Sequence, residues 1–226
     1  MNPVRPDTSV ERRLLAEGAG TVVGVDEVGK GAWAGPLVVG VAVLPTVVVE
    51  ADLDGALAGL RDSKTIAERR REVMFEPVGS ACAAWATGEA SNRECDELGM
   101  SAAQRLAASR AFEALGLAVD LGAAAAVVDG RWDFVSPLVG RVSTVVGGDA
   151  RCASVSAAAL LAKVVRDRAM RRLAEDLPHW SFASNKGYPC PRHRTALAAH
   201  GPSSAHRTSW AFMESVVPWL AAGTRP

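Results

Sequence analysis

TVVGVDEVGKGAWAGPLVVGVAVL, residues 21–44, is the stretch whose reading decides the fold. Thr21 to Val25 is β-branched apart from Gly24 and reads as a buried strand; Leu37 to Leu44 reads as a second, and a glycine-rich loop joins them. Asp26 and Glu27 close the first run. Charged groups in an apolar setting are costly unless they are paired or bound to a cation, so a divalent metal is the economical reason for two adjacent acids there. A solvated strand end is the plainer alternative.

The same loop contains GVDEVGKG, residues 24–31, which is close to a phosphate-binding loop. That motif needs Ser or Thr after its Lys to hold magnesium, and here Gly31 follows Lys30. Two carboxylates inside the loop would also repel the phosphates that its amides should cradle. A nucleoside triphosphate site is therefore not expected.

Outside this stretch, 226 residues with 49% hydrophobic content suffice for one large domain with its own core. The first twenty residues have no apolar signal region and no apolar run reaches membrane-spanning length, so a cytoplasmic protein with no membrane association is expected. Cys82, Cys95, Cys152 and Cys190 are scattered and read as ordinary reduced cysteines. His179, His193, His200 and His206 match no metal-binding helix spacing, and surface or phosphate-contacting roles are expected for them. The net charge of zero conceals an asymmetry: residues 151–210 carry ten Lys and Arg against three acids, whereas residues 1–150 carry fourteen against twenty-one. An acidic segment that could hold cations beside a basic one that could hold phosphates suits an enzyme acting on a polyanion.

Along the chain the pattern predicts a loop over 52–64 ending in RDSK, then a charged helix over 66–77 with Ser63 or Thr65 as cap. A short strand over 82–87 follows, then a helix over 91–98 capped by Ser91 or Asn92 and an alanine-rich helix over 101–115 closed by Gly116. Ala123 to Val128 reads as a buried strand ending at Asp129 and Val142 to Val146 as another, with Asp149 just before a helix over 154–173. A helix near 191–200 and a short apolar helix around 212–220 complete a single α/β domain. Asp26, Glu27, Asp129 and Asp149 thus fall at or near the ends of three strands, where ligands gather in α/β sheets. Four hard oxygen donors suit Mg²⁺ or Mn²⁺, and two such ions support in-line phosphodiester hydrolysis.

GVDEVGKGAWAGP, RDSK, VVDG, GGDA with SVSAAALLAKVVRDR, NKGYP and HRTSW, in this order, resemble the motifs of bacterial ribonuclease HII over residues 14–212. The resemblance implies a ribonuclease H-like fold, a central mixed β-sheet flanked by helices with a small C-terminal helical appendage. The catalytic core would span about 14–176 and a substrate-contacting segment about 177–226. It implies a monomeric endonuclease that cuts the RNA strand of RNA–DNA hybrids and ribonucleotides embedded in duplex DNA, leaving 3′-hydroxyl and 5′-phosphate ends. On it, Asp26, Glu27, Asp129 and Asp149 match the metal-binding carboxylates, with Asp26 bridging two ions. Gly29, Lys30 and Gly31 match a loop that reads the ribose 2′-hydroxyl largely through backbone groups, and Tyr188 matches a residue that stacks on the next sugar. Ser63 and Lys64 match a substrate-side pair, while Lys163, Arg166, His206 and Arg207 would face the duplex backbone or support the fold.

Two positions and one run depart from the family. Lys30 stands for the usual arginine and keeps the charge without the bidentate fork; Trp33 is bulky where the loop is usually small, and packing beneath the loop is preferred to stacking on a nucleotide. SVSAAALLAK replaces a more usual isoleucine-containing run. A hybrid-only nuclease like ribonuclease HIII and a catalytically silent nucleic-acid binder are the alternatives. The tyrosine and the lack of a long N-terminal substrate-binding domain speak against the first, and the four intact carboxylates against the second.

Overall fold

The apolar run that opens at Thr21 extends further than its β-branched part suggests, because two different partners read it to different lengths. In the computed structural model, which describes residues 5–210 except 52, 54 and 56, together with 212–217, β1 is Thr21–Val28. Its antiparallel partner β2, Leu37–Val43, pairs with it as far as Val28↔Val38, whereas its parallel partner β4, Ala124–Asp129, stops at Val25↔Val128. Asp26 and Glu27 are therefore inside the strand with respect to β2 and just past its end with respect to β4. The expectation of a strand closing before the acids is corrected in that sense: hairpin bonding to β2 carries the extended backbone through both carboxylates.

With β3, Ala84–Ala90, and β5, Arg141–Val145, these strands form a five-stranded mixed sheet in the order β3-β2-β1-β4-β5. The chain gathers into two compact units. The first lies within Met1–Val28, Val38–Glu89 and Gln104–Val165 and the second within Gly29–Leu37, Ala90–Ala103 and Arg166–Pro226. The helices in chain order are α1 Ser9–Ala16, α2 Thr46–Glu50, α3 Glu68–Ala81, α4 Asn92–Leu98, α5 Met100–Gly116, α6 Gly148–Arg151, α7 Ala153–Asp176, α8 Phe182–Asn185, α9 Pro191–His200 and α10 Phe212–Val216. Among the described residues, no helix is long and apolar enough to cross a membrane.

The first unit is organised by the start of α7. Ala157, Ala158, Leu160, Leu161 and Val164 pack with Phe75, Val78, Leu57, Leu60 and Val49, while Val155 joins Leu14, Val22, Ala125 and Val127 in a second cluster. Two glycines permit this approach. A Cβ on Gly24 would lie 2.1 Å from the Ser154 carbonyl carbon, and one on Gly40, the register partner of Asp26, would lie 2.6 Å from the Ala158 carbonyl oxygen. Backbone-to-backbone packing of this kind is what glycine in a strand interior makes possible. The start of α7 is also tied to α1, because buried Glu11 accepts hydrogen bonds from Ser154 N–H at 2.9 Å and Ser154 Oγ at 2.7 Å.

Two local expectations change. The charged helix begins at Glu68 and runs through Pro77 to Ala81; its N-cap is Ala67, without a side-chain cap bond, so neither Ser63 nor Thr65 caps it. They form a separate 3₁₀ turn, Ser63–Thr65, capped by Asp62. Pro77 cannot donate to the carbonyl of Val73, but Val73 is exposed, where a lost backbone bond costs least. Ser91 caps α4 through a full capping box with Glu94. The helix expected over 212–220 is seen over Phe212–Val216, and residues 218–220 lie outside the described residues.

In the second unit the C-terminal helices do not stand alone. Met170, Trp180, Phe182, Leu197, Met213 and Val217 share one core with Trp33 and Ala34. The α4 segment is clasped to the C-terminal strap: Asn92 Nδ2 donates to the carbonyls of Ser204 and His206, both at 3.0 Å, and Asp96 accepts from the backbone and hydroxyl groups of Thr208 and Ser209.

Candidate active site

The first unit brings the acidic positions together through its parallel strand pair. Val25 and Val128 are register partners, so one residue later the neighbouring strands carry Asp26 and Asp129. Asp26 is only 6% exposed and accepts the Glu27 N–H at Oδ1, 2.8 Å. Asp129 Oδ1 accepts the Gly148 N–H at 2.7 Å, which holds the end of β4 to the turn that presents Asp149. Gly147 enters that turn at φ +66°, a conformation glycine adopts freely, and Asp149 follows on α6, 4% exposed.

Lys64 reaches this cluster from the 3₁₀ turn, its Nζ 3.3 Å from Asp149 Oδ2. Its backbone is fixed from both sides: Asp62 Oδ1 accepts the Lys64 N–H at 2.8 Å, and Arg71 donates to the Ser63 carbonyl at 3.0 Å. Ser63 itself is buried. Burial, then the charges of Glu27, Asp129 and Asp149, hold the Asp26 carboxyl well above the usual carboxylate range, with Lys64 opposing. Burial raises Asp149 as well, with Lys64 the strongest counterweight. Burial works against the Lys64 ammonium, but Asp149 and Asp26 outweigh it and raise its pKa.

These residues suit a hard divalent cation by donor chemistry and by charge: every donor is a carboxylate oxygen, and the like charges around Asp26 and Asp149 help to raise the pKa values of those two. Among the described residues, no three His, Cys, Asp or Glu side chains are gathered into a closed metal-holding arrangement. Asp129 is engaged with an amide and Asp149 with an ammonium, and mutually repelling carboxylates do not draw together without a cation between them.

The second unit contains the glycine loop. Gly29 has φ +91°, and a Cβ there would lie 2.1 Å from Arg166 Nε, so only glycine fits. Arg166 donates to the carbonyls of Pro36 at 2.8 Å, Lys186 at 2.9 Å and Ala34 at 3.1 Å. Arg207 donates to Gly35 O through Nε and Nη2 and to Lys30 O through Nη1 at 3.1 Å. Both guanidiniums are fully buried. Of the two roles the sequence left open for them, duplex contact or support of the fold, their donors are committed to the second.

Tyr188 is half-buried beside this loop, its hydroxyl accepting the Gly29 N–H at 3.1 Å and its ring 5.3 Å from Arg166 Cζ. Lys30 and Gly31 are exposed. Trp33 is 5% exposed and packs into the core of this unit with Arg194 Cζ 4.8 Å from its ring centroid, in keeping with packing rather than nucleotide stacking. His193 and His206 are buried, which corrects the surface role expected for the histidines and agrees with the other reading of His206, support of the fold. His206 sits in the HRTSW motif, but nothing in the spacing of His193 announced its partner. Lys163 lies half-buried on the part of α7 that belongs to the first unit.

Comparison with known proteins places these features among relatives. The family model for ribonuclease HII matches residues 23–213. The chain is 45% identical over 222 residues to a ribonuclease HII of Streptomyces griseus, covering 96% of this chain and 89% of the relative. Its fold is similar to the crystal structure of ribonuclease H2 from Pyrococcus horikoshii OT3, with a TM-score of 0.69 at 27% identity, covering 89% of this chain and 99% of that one. It is also similar, in fold alone, to Bst ribonuclease HIII solved in complex with Mn²⁺, with a TM-score of 0.66 at 17% identity over 94% of this chain and 73% of that one.

Proposed function

The chain belongs to the ribonuclease HII family and is a ribonuclease H enzyme, and we propose that it hydrolyses the RNA strand of RNA–DNA hybrids and cuts 5′ of ribonucleotides embedded in duplex DNA. The observation that carries the reading is buried Asp26, whose pKa is raised by burial and by Glu27, Asp129 and Asp149. Such a group is neutralised by a bound cation more readily than by any residue around it. Asp26, Glu27, Asp129 and Asp149 would hold two Mg²⁺ or Mn²⁺ ions. Bound there, such ions would supply an activated water and stabilise the leaving 3′-oxygen. The chain's own part is to hold these carboxylates in place, and the bond from the Gly148 amide to Asp129 ties the end of β4 to the turn that carries Asp149.

Gly29, Lys30 and Gly31 would read the ribose 2′-hydroxyl, the group that separates RNA from DNA, and Tyr188 would pack on the neighbouring sugar. Lys64 and Lys163 suit phosphate contacts as mobile point charges, with Ser63 setting the backbone under Lys64. Residues 1–226 would work as one type 2 ribonuclease H domain and as a monomer.

The test compares a duplex containing one ribonucleotide with a long hybrid, each with Mg²⁺ and with Mn²⁺, and identifies the ends formed. Cleavage of both to 3′-hydroxyl and 5′-phosphate products is expected. Failure on the single ribonucleotide would leave a hybrid-only nuclease, and failure on both a silent binder.

A further inference from the structure

Two buried imidazoles of the second unit meet edge to edge, with His193 Nε2 and His206 Nε2 2.9 Å apart. Their outer nitrogens settle which protons they carry. His206 Nδ1 accepts the Ser203 N–H at 2.8 Å, so the His206 proton resides on Nε2 and points at His193. His193 Nε2 therefore accepts, and its own proton lies on Nδ1, 3.0 Å from the Tyr188 carbonyl oxygen. The hydrogen bonds run in one direction, from the Ser203 amide through both rings to the main chain of Tyr188.

A charged pair does not fit this arrangement. A second proton on His193 would place N–H against N–H, and one on His206 would displace the Ser203 N–H from Nδ1, leaving Ser203 Oγ, also 2.8 Å away, as its one acceptor. Burial lowers the pKa of both rings, that of His206 to about 3. The rings are held from the side as well, His193 against Trp33 and Phe182, each at 5.6 Å between centroids.

The far end of the relay is Tyr188, whose N–H bonds to Asn185 O at 2.9 Å and whose hydroxyl receives the Gly29 amide. We propose that His193 and His206 form a neutral positioning pair that fixes the Tyr188 main chain and thereby sets its hydroxyl on the Gly29 N–H. Their role in turnover rests on the reading of Tyr188 as a sugar contact given above. They are positioning residues: neither acts on the reacting bond, and their influence passes through Tyr188.

Long-range ¹⁵N spectra of the histidines in the wild-type protein test the relay without any substitution. His206 in the Nε2–H form and His193 in the Nδ1–H form, both neutral at pH 7, are expected; either ring charged or in the other tautomer overturns the proposal. Amide exchange at Gly29 tests the far end. Tyr188→Phe removes the acceptor and speeds exchange, and His193→Gln is expected to speed it too; continued protection in His193→Gln overturns the proposal.

Kinetics on a hybrid complete the test. His193→Gln is expected to raise KM roughly tenfold with little change in kcat, and to add nothing in a Tyr188→Ala background. Equal effects in both backgrounds overturn positioning through Tyr188. If Tyr188→Ala alone leaves cleavage unchanged, it is the sugar-contact reading that fails, while Gly29 exchange still decides the pair.

Discussion

Replacing Gly24 by alanine tests whether the sheet and the start of α7 are packed backbone to backbone, the arrangement on which the position of Asp149 depends. The new Cβ would lie 2.1 Å from the Ser154 carbonyl carbon and 2.4 Å from both Ser154 O and Val155 N, all main-chain atoms that no rotamer change can move aside. Reaching ordinary contact at about 3.4 Å requires α7 to retreat by roughly 1.3 Å. Overpacking of a core costs about 1–3 kcal/mol. The retreat also stretches the bonds from Ser154 to the buried Glu11 carboxyl, and such hydrogen bonds contribute about 0.5–1.5 kcal/mol each, or about 1.5–3 kcal/mol where the acid is charged. These terms overlap, so a loss of about 3–5 kcal/mol is expected. At about 2–4 °C per kcal/mol for a chain of this size, Tm falls by roughly 6–20 °C. Asp149 lies just upstream of the displaced segment, and a misplacement of about 1 Å costs on the order of 10²-fold in rate. Thermal unfolding and hybrid cleavage well below Tm give both numbers, with Gly140→Ala as control because a Cβ there meets nothing within 4 Å. A Gly24→Ala protein with unaltered Tm and turnover would refute the packing argument.

Asp129→Asn keeps an acceptor for the Gly148 amide but removes a charge, so cleavage should fall by at least about 10²–10³-fold while hybrid binding survives; unchanged turnover rules out the metal role. Saturating Mg²⁺ should raise Tm by about 5–10 °C, as a ligand at about 100 times its Kd contributes about 2.7 kcal/mol. In Asp26→Asn that rise should vanish while the metal-free Tm increases, because the mutual repulsion is relieved; a metal-induced rise that persists in the variant contradicts Asp26 as a ligand. Burial raises the pKa of Glu11 against the opposing bonds from Ser154, so ionising it costs stability, and the wild type loses that contribution as pH rises from about 4.3 through the raised value. Glu11→Gln has no such loss, so its Tm relative to wild type should climb between pH 4 and 7; a difference independent of pH rejects the buried-acid reading.

The carboxylates were legible in the sequence because each follows a β-branched or alanine-rich run, and parallel register converts equivalent places on neighbouring strands into neighbours in space. What the run could not reveal was its own end. Thr21 to Val25 pairs with β4 only through Val25, but hairpin bonding to β2 continues to Val28, and that second partner is set by topology rather than by composition. The glycine loop and Tyr188 are visible as motifs, yet the sequence leaves open whether Arg166, Arg207 and His206 face a duplex or support the fold. Arg166, Arg207 and His206 look like surface cations in a basic segment, and their burial follows from main-chain carbonyls more than a hundred residues away or from an imidazole thirteen residues away. No local period encodes such partners.

The two units treat buried charge in opposite ways, and the contrast separates binding groups from structural ones. Arg166 and Arg207 are buried cations, but three carbonyls accept from the first and two from the second, so their desolvation is offset inside the protein. Nothing further is needed to keep them there, and a ligand would have to break those bonds to reach them. Asp26 is buried to a similar degree, yet its neighbours are other carboxylates, and the cation that opposes them, Lys64, has a side chain 73% exposed. An ammonium so open to water is a weak counterion and easily displaced. Asp26 therefore remains unfavourable without a stronger cation, which is what the proposed metal site would supply. Burial alone does not mark a functional charge; burial among like charges without a buried counterion does, and by that criterion the acidic cluster is the group that calls for a ligand.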